Sequence, residues 1–175
     1  MAHGPRYSVP YRRRREGRTN YRSRLALLKS GVPRAVVRRS RNLIRVQFVE
    51  YDPVGDRILA AVDSSMLEPF GWKAGRANTA SAYLTGYLGG RKAVERGIDE
   101  AVLDIGIVMP IAGSRAFAVL KGMVDAGVHI PHSEDALPAE ERISGIRDGT
   151  LKADYEATLA KMVKELGGPE AGNDD

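Results

Sequence analysis

The side chains best suited to chemistry in this chain lie at its start. Residues 1–48 hold fourteen Lys and Arg against one acidic residue, Glu16, and thirteen of the fourteen are Arg. Tyr7, Tyr11 and Tyr21 are threaded among Arg6, Arg12, Arg13, Arg14, Arg15, Arg18, Arg22 and Arg24. A guanidinium fork matches a phosphate bidentately and stacks on an exposed base, as a Tyr ring also does. So much like charge repels itself in a compact state unless a polyanion neutralises it. The rest of the chain is net acidic. Residues 49–132 hold eight basic and ten acidic side chains, and 133–175 hold five and eleven. The chemistry this asymmetry suits is the binding of RNA or DNA. A nuclear-import signal or a solvated tail would account for the arm alone. Neither accounts for Arg34, Arg38, Arg39, Arg41 and Arg45, which carry the basic run into two expected strands. Strand-borne Arg on one face, beside a basic arm, makes a continuous patch suited to a folded RNA.

Other constellations are weaker. His129 and His132 lie near Asp125 and Asp135, but Pro131 between them places both rings on a loop, where they do not converge as a metal site would require. Asp63 and Asp104 each end an expected strand, a position where α/β enzymes place carboxylates. With no base, third carboxylate or metal spacing beside them, hydrogen bonds to turn amides are the expected role. Ser64-Ser65 lacks the glycines of a nucleophile elbow. Gly86 to Lys92 has Arg91 where a phosphate loop needs Gly, and it falls inside a helix. No catalytic residue, metal or cofactor is therefore expected. The chain has no Cys, which excludes disulfides, thiol catalysis and Cys-based zinc sites and fits a reducing cytoplasm. No apolar run approaches the roughly 18 residues of a membrane span, so no membrane partner is expected. The N-terminus lacks the apolar core of a secretory signal, and Gly4-Pro5 and Val9-Pro10 break the amphipathic helix of an organelle transit peptide.

The elements that must position the basic residues can be read in order. With 175 residues, 43% of them hydrophobic, there is room for one ordinary domain with a real core. Residues up to about 20 are too polar to order without a partner. Tyr21–Ser30 reads as a short basic helix stopped near Gly31 and Pro33. Ala35–Ser40 and the alternation of Ile44, Val46 and Phe48 read as two strands, and the unbroken Ile58–Val62 run as a buried third, together an antiparallel meander. A helix over Arg76–Arg96 buries Ala77, Ala80, Leu84, Tyr87 and Leu88, and its internal Gly86, Gly89 and Gly90 imply close packing there. Ala101–Ile105 reads as a short parallel strand. Ser114 caps a further helix whose inner face is Phe117, Leu120 and Val124, ending at Gly127. The expected core is Val37, Val46, Phe48, Leu59, Val62, Leu84, Leu103, Phe117 and Leu120. A loop with Pro131 and Pro138, a short helix over Ala139–Ile146, a charged helix over Lys152–Leu166 and a frayed acidic tail from Gly167 follow. The fold class is thus α/β (α+β), a mixed sheet of a three-strand antiparallel meander plus one parallel strand, covered by helices. It divides into a basic disordered arm with a short helix (1–30), a globular domain (31–130) and a C-terminal loop, helical extension and acidic tail (131–175).

Several segments, in order, resemble one family: the large-subunit ribosomal protein L-eighteen in its archaeal form, related to the larger eukaryotic protein numbered five. They are Asn20–Leu25, Pro33–Arg38, Gly71-Trp72, Asn78–Gly86 (NTASAYLTG), Glu100–Gly106 (EAVLDIG), Ser114–Phe117 with Leu120–Gly122, Asp125–Gly127 and Ile130–Glu134. Each is weak singly, whereas the ordered set, spanning roughly residues 5 to 147, is specific. The resemblance implies a non-enzymatic constituent of the large ribosomal subunit in the cytoplasm. It would bind 5S ribosomal RNA and help anchor it in the central protuberance, beside large-subunit rRNA and neighbouring ribosomal proteins. Carried onto this sequence, the arm contacts are Arg6, Tyr7, Tyr11, Arg12–Arg15, Arg18, Tyr21, Arg22 and Arg24; the charge pattern itself adds Arg38, Arg39 and Arg45 on the sheet. The turn Arg39-Ser40-Arg41-Asn42 is more basic than the family's usual turn, which leaves Arg41 outside the carried set. The competing class is a small basic α/β nucleic-acid-processing enzyme, which would need a divalent metal and would degrade RNA.

Overall fold

Period-two alternation builds the centre of the molecule. The computed structural model describes residues 4–144 and 149–167. Strands β1 (Arg34–Arg39), β2 (Ile44–Glu50) and β3 (Arg57–Asp63) form the antiparallel meander, and β4 (Val102–Asp104) adds in parallel to β1. The strand order is β3-β2-β1-β4. Directly opposed pairs Ala35–Phe48 and Val37–Val46, continued by Phe48–Ala60 and Val46–Val62, put one apolar stripe on one face of the sheet. Being at the edge, β3 is only half buried: Ala60 and Val62 face the core while Ile58 is 54% exposed. An unbroken apolar run suggested a strand buried on both sides; edge position decided otherwise.

Two helices cover that stripe. Helix α3 (Thr79–Val94) starts where the Asn78 side chain accepts the Ser81 N–H, and α4 (Arg115–Asp125) follows β4. Ser114 sits at the α4 N-cap but makes no side-chain cap hydrogen bond. Helix α3 is buried almost all round, not on a single face, because it is sandwiched between sheet and α4. Glycine permits this. A Cβ at Gly86 would overlap the Val119 carbonyl, one at Gly122 the Tyr83 carbonyl, and one at Gly90 would lie 2.6 Å from the Ala126 Cβ. Close packing at the α3 glycines is therefore observed: Gly86 and Gly90 meet α4 and its C-cap, whereas Gly89 packs on Val46 of β2. The inner face of α4 is Ala116, Val119, Leu120 and Met123, whereas Phe117 and Val124 are half buried, as are Leu59 and Leu103.

Short elements complete the chain. The arm carries one helical turn, α1 (Arg12–Arg15), and then α2 (Tyr21–Leu28), whose first turn is capped by Asn20 accepting from the Arg22 and Ser23 N–H groups. After α4 come α5 (Glu140–Ser144) and α6 (Gly149–Leu166). Helix α6 docks on α3: Met162 is fully buried, the Tyr155 and Tyr83 rings lie 5.9 Å apart, and Arg91 donates to the Leu166 carbonyl at 2.7 Å. The acidic tail beyond Gly167 and the last residues of the expected 139–146 helix lie outside the described residues. Among the described residues no helix is long and apolar enough to cross a membrane.

Candidate nucleic-acid interface

The short length of β4 opens the site. It pairs only with Arg34–Val36, so Val37, Arg38 and Arg39 at the end of β1 are paired with β2 alone and have no strand on their β4 side. Alternation then separates the arginines. Arg38 is directly opposite Arg45, and Arg45 opposite Asp63, on the sheet face away from α3. Arg39, opposite Ile44, falls on the helix side. The strand arginines thus do not share one face as the sequence suggested; they straddle the uncovered end of β1.

Around that end lies a cleft of about 430 Å³. Arg13 and Arg18 of the arm, Arg38 and Arg39 of β1 and Arg115 of α4 converge on it, with no acidic residue in its lining. Its apolar wall includes Val37, Ile44, Ile105 and Val108. Arg115, which lies in the Ser114–Phe117 segment but is not among the expected RNA contacts, is held by donating to the Ala77 carbonyl at 2.5 Å. Past β4 the loop turns at Gly106, whose φ is +74°, and exposes Ile107, Met109 and Ile111.

Not every basic residue of the run faces solvent. Arg34 is 3% exposed and bridges two carboxylates, donating to Asp104 at 2.7 Å and Asp56 at 2.6 Å. Asp56 also binds Arg24 of α2 at 2.7 Å, and Asp104 binds Arg38 at 3.0 Å. This chain of charges ties α2 to the sheet. Burial alone would raise the Asp104 pKa. The Arg38 charge and hydrogen bonds from Arg38, the Gly106 N–H and Arg34 outweigh it, so its carboxyl is held below the ordinary range. Asp63 is lowered chiefly by the Ser65 hydroxyl, against a smaller effect of burial, with help from the Ser65 N–H and Arg45. Both aspartates accept turn amides as expected, Asp63 from Ser65 N–H at 3.0 Å and Asp104 from Gly106 N–H at 2.8 Å. What the sequence hid is that Asp104 also neutralises two arginines. Its partners Arg34 and Arg38 are 70 and 66 residues away, so no local spacing announces them.

The arm keeps its other cations outward. Arg13 donates to Thr19 Oγ1 at 2.9 Å, folding the arm back after α1, while Arg12 and Arg18 flank Glu16 at 3.6 and 3.2 Å. Arg6, Arg14, Arg15, Arg22, Arg39 and Arg45 are exposed, with no ion-pair partner among the described residues. Tyr11 is 75% exposed, its ring 5.4 Å from that of Tyr21, and Tyr7 is 46% exposed. Of the expected contact residues, Arg24 and Arg38 are thus engaged by carboxylates of the body and Arg12 and Arg18 share Glu16. The remainder present donors or rings at the surface. Among the described residues no group of three or more His, Asp or Glu side chains gathers as a metal site, and His132 Nδ1 lies 2.7 Å from the Ile130 carbonyl.

Comparison with known proteins adds an independent line. The family described as ribosomal large subunit proteins 60S L5 and 50S L18 matches residues 5–101 and 95–133. Over 166 residues the chain is 56% identical to the large ribosomal subunit protein uL18 of Aeropyrum pernix, covering 94% of this chain and 74% of that protein. Over 167 residues it is 48% identical to the protein of the same description from Natronomonas pharaonis, covering 90% and 91%.

Proposed function

Because the chain belongs to the family of ribosomal large-subunit proteins 60S L5 and 50S L18, we propose that it binds 5S ribosomal RNA and helps anchor it in the central protuberance. It is a structural constituent of the large ribosomal subunit, and its work is done in the ribosome. Large-subunit rRNA and neighbouring ribosomal proteins are its further partners, and it carries out no catalysis. The observation that best supports RNA contact is the acid-free cleft where arm, β1 and α4 arginines meet. Arg18 and Arg38 already have carboxylate partners; Arg13, Arg39 and Arg115 have none among the described residues, and a polyanion is the counter-charge that suits them. Exposed Tyr7 and Tyr11 supply faces for unpaired bases.

Titration of 5S RNA at several salt concentrations tests this. Full-length protein should bind with a steep salt dependence. Deleting residues 1–20, which removes Arg6, Arg12, Arg13, Arg14, Arg15 and Arg18, should weaken binding. It should also lower the log–log slope by about 0.7 to 0.9 for each phosphate no longer neutralised. Tyr11→Ala should instead weaken binding by about 1 to 3 kcal/mol with little change of slope. The RNA should be recovered intact with or without divalent metal. Unchanged affinity and slope after truncation would remove the arm from the interface, and no binding by the full chain would end the 5S reading.

A further inference from the structure

We propose that the cleft at the uncovered end of β1 is a seat for one unpaired nucleotide of the bound RNA, with its base against the apolar wall and its phosphates on the arginine rim. The inference rests on the RNA-binding reading above and specifies how one part of the surface reads RNA.

The lining combines two chemistries. Ile105, Val108 and Ala116 offer an apolar wall, and Arg13, Arg18, Arg39 and Arg115 offer donors. A purely phosphate-binding surface needs no apolar wall, and a purely apolar pocket for a protein side chain needs no ring of cations. A splayed nucleotide needs both, since its base carries an apolar face and its backbone an anion on either side. The size agrees. About 430 Å³ falls in the range of about 300 to 1,000 Å³ typical of small-ligand clefts, enough for one nucleotide.

The rim is also set in advance. Arg38 donates to the Val37 carbonyl at 2.9 Å and the Asp104 carbonyl at 2.7 Å, as well as to the Asp104 side chain. Gly106 lies flat against it, since a Cβ there would lie 3.0 Å from the Arg38 Cζ. These bonds spend Arg38 on the protein itself and hold that side of the cleft in place before a ligand arrives, so less freedom is lost on binding. The loop beside the cleft exposes Ile107 to 62% and Met109 to 74%. An apolar run left in solvent beside unpaired cations matches the mixed character of an unstacked strand entering the cleft.

The test combines base-specific chemical probing of 5S RNA with affinity measurement, using full-length wild type, Val108→Phe to fill the cleft and Arg39→Gln to remove one rim donor. In the wild-type complex one unpaired base should be protected in addition to the arm footprint. Val108→Phe should restore reactivity at that base alone and weaken binding about 5- to 100-fold without changing the salt slope. Arg39→Gln, an exposed site with no folding role, should lower the slope by about 0.7 to 0.9 and reduce protection of the same base. Wild type that binds 5S RNA while neither variant alters affinity or any base's reactivity would overturn the nucleotide seat and leave the RNA-binding reading intact. Wild type that binds no 5S RNA would overturn both. Tight binding of a free mononucleotide, or of an acidic peptide, that shifts Val108 and Ala116 resonances and is not displaced by the RNA would assign the cleft to that ligand instead.

Discussion

Asp104 shows how one side chain can serve two arginines with different fates. Arg34 beside it is sealed from water, whereas the Arg38 side chain is 47% exposed. Removing the charge of Asp104 leaves Arg34 in the interior with Asp56 as its one remaining carboxylate, and breaking a buried pair from one side costs about 3 to 5 kcal/mol. Asp104→Asn should therefore lose about that much stability in denaturant unfolding at pH 7. A loss under about 1 kcal/mol would mean that the network contributes little. The pH dependence has a definite sign. A carboxylate whose folded pKa is depressed stabilises the fold above its unfolded value and stops doing so as pH falls through its folded value. The gap between wild type and Asp104→Asn should thus be full at neutral pH and shrink as pH drops below the ordinary value of 3.8. A gap that widens in acid would contradict the assignment.

At the scale of elements, the α3–α4 contact and the sheet behind it carry the packing. Replacing a mid-helix glycine with Ala usually helps a helix by about 1 kcal/mol. At Gly86 the new Cβ would meet the Val119 carbonyl, and overpacking of this kind costs about 1 to 3 kcal/mol or more. Gly86→Ala should therefore destabilise, and a stabilised variant would mean that the helices can separate freely. Phe48 is 1% exposed and stands between α3 and the sheet, so Phe48→Ala should cost about 3 to 5 kcal/mol. Phe117, half buried on α4, should cost only about 1 to 2 kcal/mol when truncated. Equal losses at the two positions would contradict this ranking. The aromatic residues looked alike in sequence because both fall at apolar positions of their elements. The face of α4 that turns inward carries Ala116, Val119, Leu120 and Met123, which leaves Phe117 half buried at its edge.

For the whole molecule, arm and body divide the tasks. None of residues 4–20 is buried, and the first ion pair from the N-terminal region to the body is Arg24 on Asp56. Deleting residues 1–20 should leave a cooperatively folding body that is about 0.5 to 2 kcal/mol less stable, the contribution of the missing Asn20 cap on α2. Unfolding followed by circular dichroism checks it, and a loss above about 3 kcal/mol would show that the arm holds the core together.

The sequence by itself determined the basic arm, the order of strands and helices, the antiparallel meander with a parallel fourth strand, and the glycine-mediated closeness of α3. These depend on charge content, periodicity and turn chemistry, which act over a few residues and are written locally. Only the tertiary structure decided which arginines remain available. Arg34 and Arg39 read alike in a basic run, yet one is buried between Asp56 and Asp104 and the other stands open on the rim of a cleft. It also brought Arg115 to that cleft from a helix far along the chain from β1. The reason is physical: a charge's role is set by the dielectric and the counter-charges around it, and folding assembles both from distant parts of the chain.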